Sequence, residues 1–302
     1  MISFEPTTLV NSAGAAAYAP VFGGLEEEFS NFDSAEVTVL PVPYDKTSTY
    51  NKGADRGPQA LLQASTQVEL YDIETETEVF LRGISTLAPL VVDGPPEDLF
   101  ACIKQATSWI LGERKFPVVI GGEHSITPGV VAAFSEQYKN LSVLQFDAHG
   151  DTRESYHGSK YNHACAMARV REYCPYVGVG IRAIDASEVA SIDRKRMFYA
   201  YEVHTHTPAS LAAAVSAVLT PEVYITIDLD CFDSAIMPST GTPEPGGLNW
   251  TQVMTVLRHV CKHHRVVGFD VVELLPRKED PAPDFLAAKL VYQLLSYVFS
   301  SR

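Results

Sequence analysis

Short apolar runs rich in β-branched residues recur along the chain, and between them lie stretches whose apolar positions repeat every three or four residues. The runs at residues 36–42, 116–120, 141–145, 177–181, 223–227 and 266–269 predict buried strands. Helical spacing appears at Leu99, Ile103, Ala106 and Ile110, introduced by Pro95 and Pro96 and closed by Gly112. Further helices are predicted after Pro58, which suits a first turn, and over residues 126–138, 209–219, 251–261 and 284–299. The Tyr and Leu pattern of the last of these reads as core. Strand, helix, strand order builds a parallel sheet with right-handed crossovers, so the fold class is α/β. Residues 1–35 lack sustained periodicity and read as an N-terminal arm lying on the body or on a neighbouring subunit. Residues 36–302 show no composition break or linker and read as a single domain.

Composition narrows the function. A chain of 302 residues with 46% hydrophobic and 20% charged residues is built to pack a core. Its net charge of −14 argues against nucleic acid or an anionic membrane as partner and favours a small cation. The five cysteines include no Cys-x-x-Cys pair, which speaks against a disulfide framework or a thiolate zinc site. The first residues lack a basic leader and apolar core, and no run is long enough to span a bilayer. Cytoplasmic residence is the expectation.

The polar chemistry sits just after the apolar runs. Phe146-Asp147-Ala148-His149-Gly150-Asp151 follows one of them, and in extended backbone Asp147, His149 and Asp151 would share one face. Alone this is either a strand entering a polar turn or one wall of a metal site. Asp228 and Asp230 have the same spacing after residues 223–227, and alone they are either a solvated loop or a ligand pair. Gly121-Gly122-Glu123-His124 and Glu273 also follow predicted strands, and parallel strand ends converge. The candidate ligands are then His124, Asp147, His149, Asp151, Asp228 and Asp230, two imidazoles and four carboxylates. So much oxygen with little nitrogen and no sulfur suits Mn²⁺ better than structural Zn²⁺. Four bare carboxylates would repel, so two ions fit better than one. Two metals roughly 3.5–4 Å apart can share a hydroxide, which makes metal-assisted hydrolysis the reaction class.

These segments resemble the ureohydrolases, the family of arginase and agmatinase. Gly121-Gly122-Glu123-His124-Ser125, residues 146–151, and Ile227-Asp228-Leu229-Asp230 continuing to Thr240-Gly241-Thr242-Pro243 are similar to its three signatures. The loop with Gly53, Gly57 and Pro58, the Gly180-Ile181-Arg182 strand end, and Phe269-Asp270-Val271-Val272-Glu273 also match, so the resemblance runs from residue 36 to the C-terminus. It implies a single three-layer α/β/α domain of the arginase kind with a mainly parallel sheet, two Mn²⁺ per subunit, and homotrimers or homohexamers. By position, His124 and Asp151 would hold one manganese, His149 and Asp230 the other, with Asp147 and Asp228 bridging. Asp151 would pass a proton to the leaving amine, His163 would be the proton shuttle, and Glu273 would bind the guanidinium. Thr242 and His163 would join Glu273 in substrate binding.

The segment 152–161 is unlike arginase and similar to the Gly-x-Lys-Tyr-x-His arrangement of microbial agmatinases. Agmatine, hydrolysed to putrescine and urea by attack of a metal-bridging hydroxide, is the expected substrate. The alternatives are guanidinobutyrate, guanidinopropionate, arginine or guanidine, or a silent oligomer keeping the fold without turnover. Asn51-Lys52-Gly53-Ala54-Asp55 departs from the Arg-Pro-Gly of many relatives, and Ser234 stands where proline is usual. A two-metal phosphoesterase would need a downstream Gly-Asn-His that the chain lacks, and a one-zinc deacetylase would not need the full ligand set. His204 and His206 read as surface loop, and His259, His263 and His264 as helix-end residues. His157, in the segment 152–161, and Glu244 are open between a part in the site and none.

Overall fold

The computed structural model describes residues 6–10 and 18–301. Eight strands run through it: β1 (Val37–Val42), β2 (Ile84–Thr86), β3 (Phe116–Gly121), β4 (Leu141–Phe146), β5 (Tyr176–Ile181), β6 (Met197–Tyr199), β7 (Glu222–Asp228) and β8 (Arg265–Val272). They form one sheet in the order β2-β1-β3-β8-β7-β4-β5-β6, and every neighbouring pair is parallel. The expectation of a mainly parallel sheet is thus sharpened to a wholly parallel one among the described residues.

Parallel strands lie under helices on both faces, which is why the runs are continuously apolar rather than alternating. Val37, Val39, Val118, Ile120, Ile225 and Val271 point to one core. Helices Gly57–Ser65, Pro208–Ser216, Trp250–His263 and Ala282–Ser300 close that face with Leu61, Leu211, Val253 and Leu290. Leu40, Val42, Val119, Val143 and Val272 point to the opposite core, covered by Pro96–Gly112, Thr127–Gln137 and Ala166–Val170. The result is a single three-layer domain.

The six predicted strands are present, but β2 and β6 were not foreseen. Each is a three-residue edge strand, too short to leave an apolar run, and each is held by its neighbour's ladder. The helix Ala166–Val170 was also unforeseen. Residues 1–5 and 11–17 of the N-terminal arm lie outside the described residues. The described remainder packs on the body: the Leu9 carbonyl accepts from Ala88 N–H at 2.8 Å, Phe22 N–H donates to Thr86 Oγ1 at 2.9 Å, and Phe32 stacks on Trp109.

All eight carboxyl ends meet one edge of the sheet, and Gly122 ties three of them together. Its N–H donates to Val42 O at 2.9 Å and its carbonyl accepts from Glu273 N–H at 2.7 Å, joining the ends of β1, β3 and β8. A Cβ on Gly122 would stand 2.0 Å from the Tyr44 carbonyl oxygen, so this close approach requires glycine. Gly122→Ala is expected to lower stability by about 2–4 kcal/mol in denaturant melts, the range for forced backbone displacement in a core. Gly112→Ala, where a Cβ meets nothing within 4 Å, should change it by less than about 1 kcal/mol.

Candidate metal centre

The acidic stretch after β4 does not stay extended. The strand ends at Phe146, His149 N–H turns back to Asp147 Oδ1 at 2.6 Å, and Asp151 sits at a φ of 50°. The stretch after β7 turns as well: Asp230 N–H donates to Asp228 Oδ1 at 2.9 Å within the single turn Leu229–Cys231. The expected sharing of a face through strand alternation is therefore corrected. The side chains converge because each aspartate folds its own loop onto a carboxylate oxygen.

The structure brings together His124, Asp147, His149, Asp151, Asp228 and Asp230. His124 Nδ1 lies 3.2 Å from Asp147 Oδ2, 3.0 Å from Asp151 Oδ2 and 3.5 Å from Asp228 Oδ2. His149 Nδ1 lies 2.8 Å from Asp230 Oδ2 and 3.7 Å from Asp147 Oδ1. Two groups have ligand atoms mutually within 4.8 Å: His124, Asp147 and Asp228, and Asp147, His149 and Asp230. Asp147 belongs to both.

Three of these side chains, His124, Asp147 and Asp230, are oriented by a partner behind them. Thr226 Oγ1 donates to Asp270 Oδ1 at 2.6 Å, so it can only accept from His124 Nε2, 2.9 Å away. His124 therefore carries a proton on Nε2, which leaves Nδ1, facing the three carboxylates, as the ring atom that could bind a cation. Asp270 is wholly buried and is saturated by Thr226, Tyr224 and Thr127. Gln145 Nε2 donates to Asp147 Oδ2 at 2.8 Å, and Ala148 N–H to Asp230 Oδ1 at 2.9 Å.

The electrostatics call for positive charge. Burial and then repulsion from Asp230 and Asp147 hold Asp228 well above the ordinary carboxylate range. Burial, with Asp147 beside it, pushes Asp151 up to about 6. Burial opposes a charged His149, yet Asp230 and Asp147 overcome it and push the ring up to about 12. An oxygen-rich donor set, an imidazole nitrogen aimed into it and this concentration of buried carboxylates together fit divalent metal ions.

A cavity of about 300 Å³ opens from this cage. Glu273, His163 and Thr242 line it, as do Glu244 and Asn51, whose Nδ2 donates to Gly241 O at 2.9 Å. Glu273 has a φ of 65°, and its Oε1 accepts from His124 N–H at 2.7 Å. Among the described residues the lining holds a single arginine and no lysine: Arg153, paired with Asp185 at 3.5 Å and Glu188 at 3.7 Å and lying over Tyr156.

Other histidines fall elsewhere. His157 is exposed and packs on Tyr156 outside the cavity lining. His204 bonds Gly246 O, His259 faces His263, and His264 bonds Thr220 O and Ser216. Sequence reasoning gave no part to Thr47, Gln145 or Thr226 and quoted Glu123, Arg182 and Asp270 only within matching segments. Arg182 Nη2 donates to Asp230 O at 2.7 Å and Glu244 O at 2.8 Å, knitting two site loops. A carboxylate inside the apolar run of β8 was the one available sign for Asp270.

The family model described as the arginase family matches residues 35–296. The N(1)-aminopropylagmatine ureohydrolase of Synechocystis sp. is 39% identical over 90% of this chain and 92% of its own length. The agmatinase of Pyrococcus horikoshii is 31% identical over 86% of this chain and 91% of its length. Among solved structures, the agmatine ureohydrolase of Thermoplasma volcanium superposes with a TM-score of 0.82 at 27% identity, over 99% of this chain and 96% of its own.

Thr226→Val keeps the side-chain shape but strips His124 Nε2–H of its acceptor. Equilibrium dialysis against Mn²⁺ is expected to show affinity about 10–100-fold weaker. Unchanged affinity would show that the ring does not depend on this contact.

Proposed function

The chain belongs to the arginase family and is a hydrolase of amidino groups, and we propose that it hydrolyses agmatine or its N(1)-aminopropyl derivative at a pair of manganese ions. His124, Asp147, Asp151 and Asp228 would hold one ion, and Asp147, His149, Asp228 and Asp230 the other. When bound, two such ions neutralise the carboxylates and make water nucleophilic at neutral pH.

The chain's own groups do the rest. Glu273, buried at the cavity wall with one oxygen fixed by His124 N–H, accepts the planar guanidinium and sets its carbon toward the cage. Asp151 faces both cage and cavity and passes a proton to the departing amine. His163, half-buried in the wall, carries to solvent the separate proton that the next water gives up when the nucleophile is regenerated. Thr242, at the mouth, contacts the substrate beyond the guanidinium.

One observation carries the substrate class: Arg153 is paired with Asp185 and Glu188, so among the described residues the lining offers no unpaired arginine or lysine for an amino acid carboxylate. The partly exposed Glu244 in the same lining, whose side chain has no basic partner among the described residues, favours a second cationic end. The longer substrate is kept beside agmatine because the 39% identical relative is named for it.

Urea release with Mn²⁺ should rank agmatine or N(1)-aminopropylagmatine at least about a hundredfold above arginine in kcat/KM, the discrimination expected of a site with unmet polar needs. Arginine as the better substrate would overturn the reading of Arg153 and of residues 152–161. Glu273→Ala should keep its metal yet lose at least about a hundredfold in kcat/KM, the equivalent of one charge-assisted contact. Loss of metal from that variant would count against the role given to Glu273.

A further inference from the structure

We propose that Thr47 and Glu123 are positioning residues that fix the tautomer of His163, keeping its proton on Nδ1 and leaving the Nε2 lone pair free for proton exchange. Three contacts meet on one hydroxyl. Thr47 Oγ1 lies 2.7 Å from Glu123 Oε1, 3.0 Å from His163 Nδ1 and 3.0 Å from the His163 backbone nitrogen.

A hydroxyl has one proton and two lone pairs. The backbone N–H can only donate, so it fills one lone pair. The single proton goes to the carboxylate, which makes the shortest of the three contacts. The second lone pair is then left for His163, and Nδ1 must donate into it.

Glu123 is built as the acceptor at the end of this chain. It is wholly buried, and its two oxygens also take Thr47 N–H at 2.7 Å, Ser48 N–H at 2.8 Å, Ser48 Oγ at 3.2 Å and Ser125 Oγ at 2.7 Å. Both backbone donors come from the loop carrying Thr47, so the carboxylate holds the hydroxyl and its loop in one position. The arrangement mirrors Asp270 and Thr226 behind His124, with the opposite ring nitrogen engaged. An imidazole with its proton on Nδ1 can take one proton at Nε2 and release the same proton later, without turning the ring. Either threonine and its carboxylate thus decide which nitrogen works.

The catalytic consequence rests on the function proposed above, whereas the tautomer does not. Neutron diffraction from deuterium-exchanged crystals of the manganese-loaded protein should show deuterium on His163 Nδ1 alone. Deuterium on Nε2 would overturn the proposal, and this result stands even if no guanidino compound is turned over, which would sink the activity alone. In urea release, Thr47→Val should lower kcat about 10–100-fold with KM and bound manganese within about twofold, while Thr47→Ser recovers kcat to within about threefold. A Thr47→Val enzyme with undiminished kcat would also overturn it.

Discussion

Mutual repulsion of the carboxylates beside His124 is the constraint on which the rest of the structure depends. Two unit charges 4 Å apart at an effective dielectric near 20 interact by about 4 kcal/mol, and Asp147 has carboxylate oxygens within 4.8 Å of one on Asp228 and of one on Asp230. The chain limits the cost by fixing one oxygen of an aspartate on a donor and leaving the other for the cage. Asp228 Oδ1 takes Asp230 N–H, and Asp230 Oδ1 takes Ala148 N–H. Their Oδ2 atoms face His124 and His149. What remains is a demand for positive charge that bound cations would meet, and their binding would make a buried acidic cluster tolerable in a folded protein.

Holding those groups at one place needs both the sheet and some strain. Parallel strands put every carboxyl end at one edge, so loops far apart in sequence start side by side. The last step is made by the backbone itself: Asp151 and Glu273 adopt left-handed conformations, at φ of 50° and 65°, that cost on the order of 1 kcal/mol or more each without glycine. Around Asp151 the cost is offset by two backbone donors, Met167 and Ala168, onto its carbonyl. Glu273 is gripped by Gly122 O behind it and His124 N–H in front. Both strained residues face the cavity, where orientation matters most.

That division explains what could be read from the sequence. The six long strands were legible because a buried parallel strand leaves a run such as Val223-Tyr224-Ile225-Thr226-Ile227, while β2 and β6, three residues each, leave none. The acidic and histidine clusters were legible as chemistry because their spacing follows strand ends. The way they converge was not, since alternation along a strand gave way to turns made by Asp147 and Asp228 on their own loops. Thr47, Thr226 and Gln145 were invisible for a different reason. A hydroxyl or an amide acquires a role only from what stands on either side of it, and those partners lie 44 to 116 residues away for the two threonines.

The two threonines show how one motif can assign opposite tasks to the same side chain. Thr226 engages His124 at Nε2 and so turns Nδ1, deep in the cage and fully buried, toward three carboxylates. Thr47 engages His163 at Nδ1 and exposes Nε2 at the partly open cavity wall. A free histidine samples both tautomers, so an unanchored ring in either place would spend part of its time presenting N–H where a lone pair is needed. Anchoring each hydroxyl on a saturated buried carboxylate, Asp270 or Glu123, removes that choice. In the function proposed above, metal holding and proton exchange would then be separated by hydrogen bonds one layer behind the histidines, with neither ring differing from the other in chemistry.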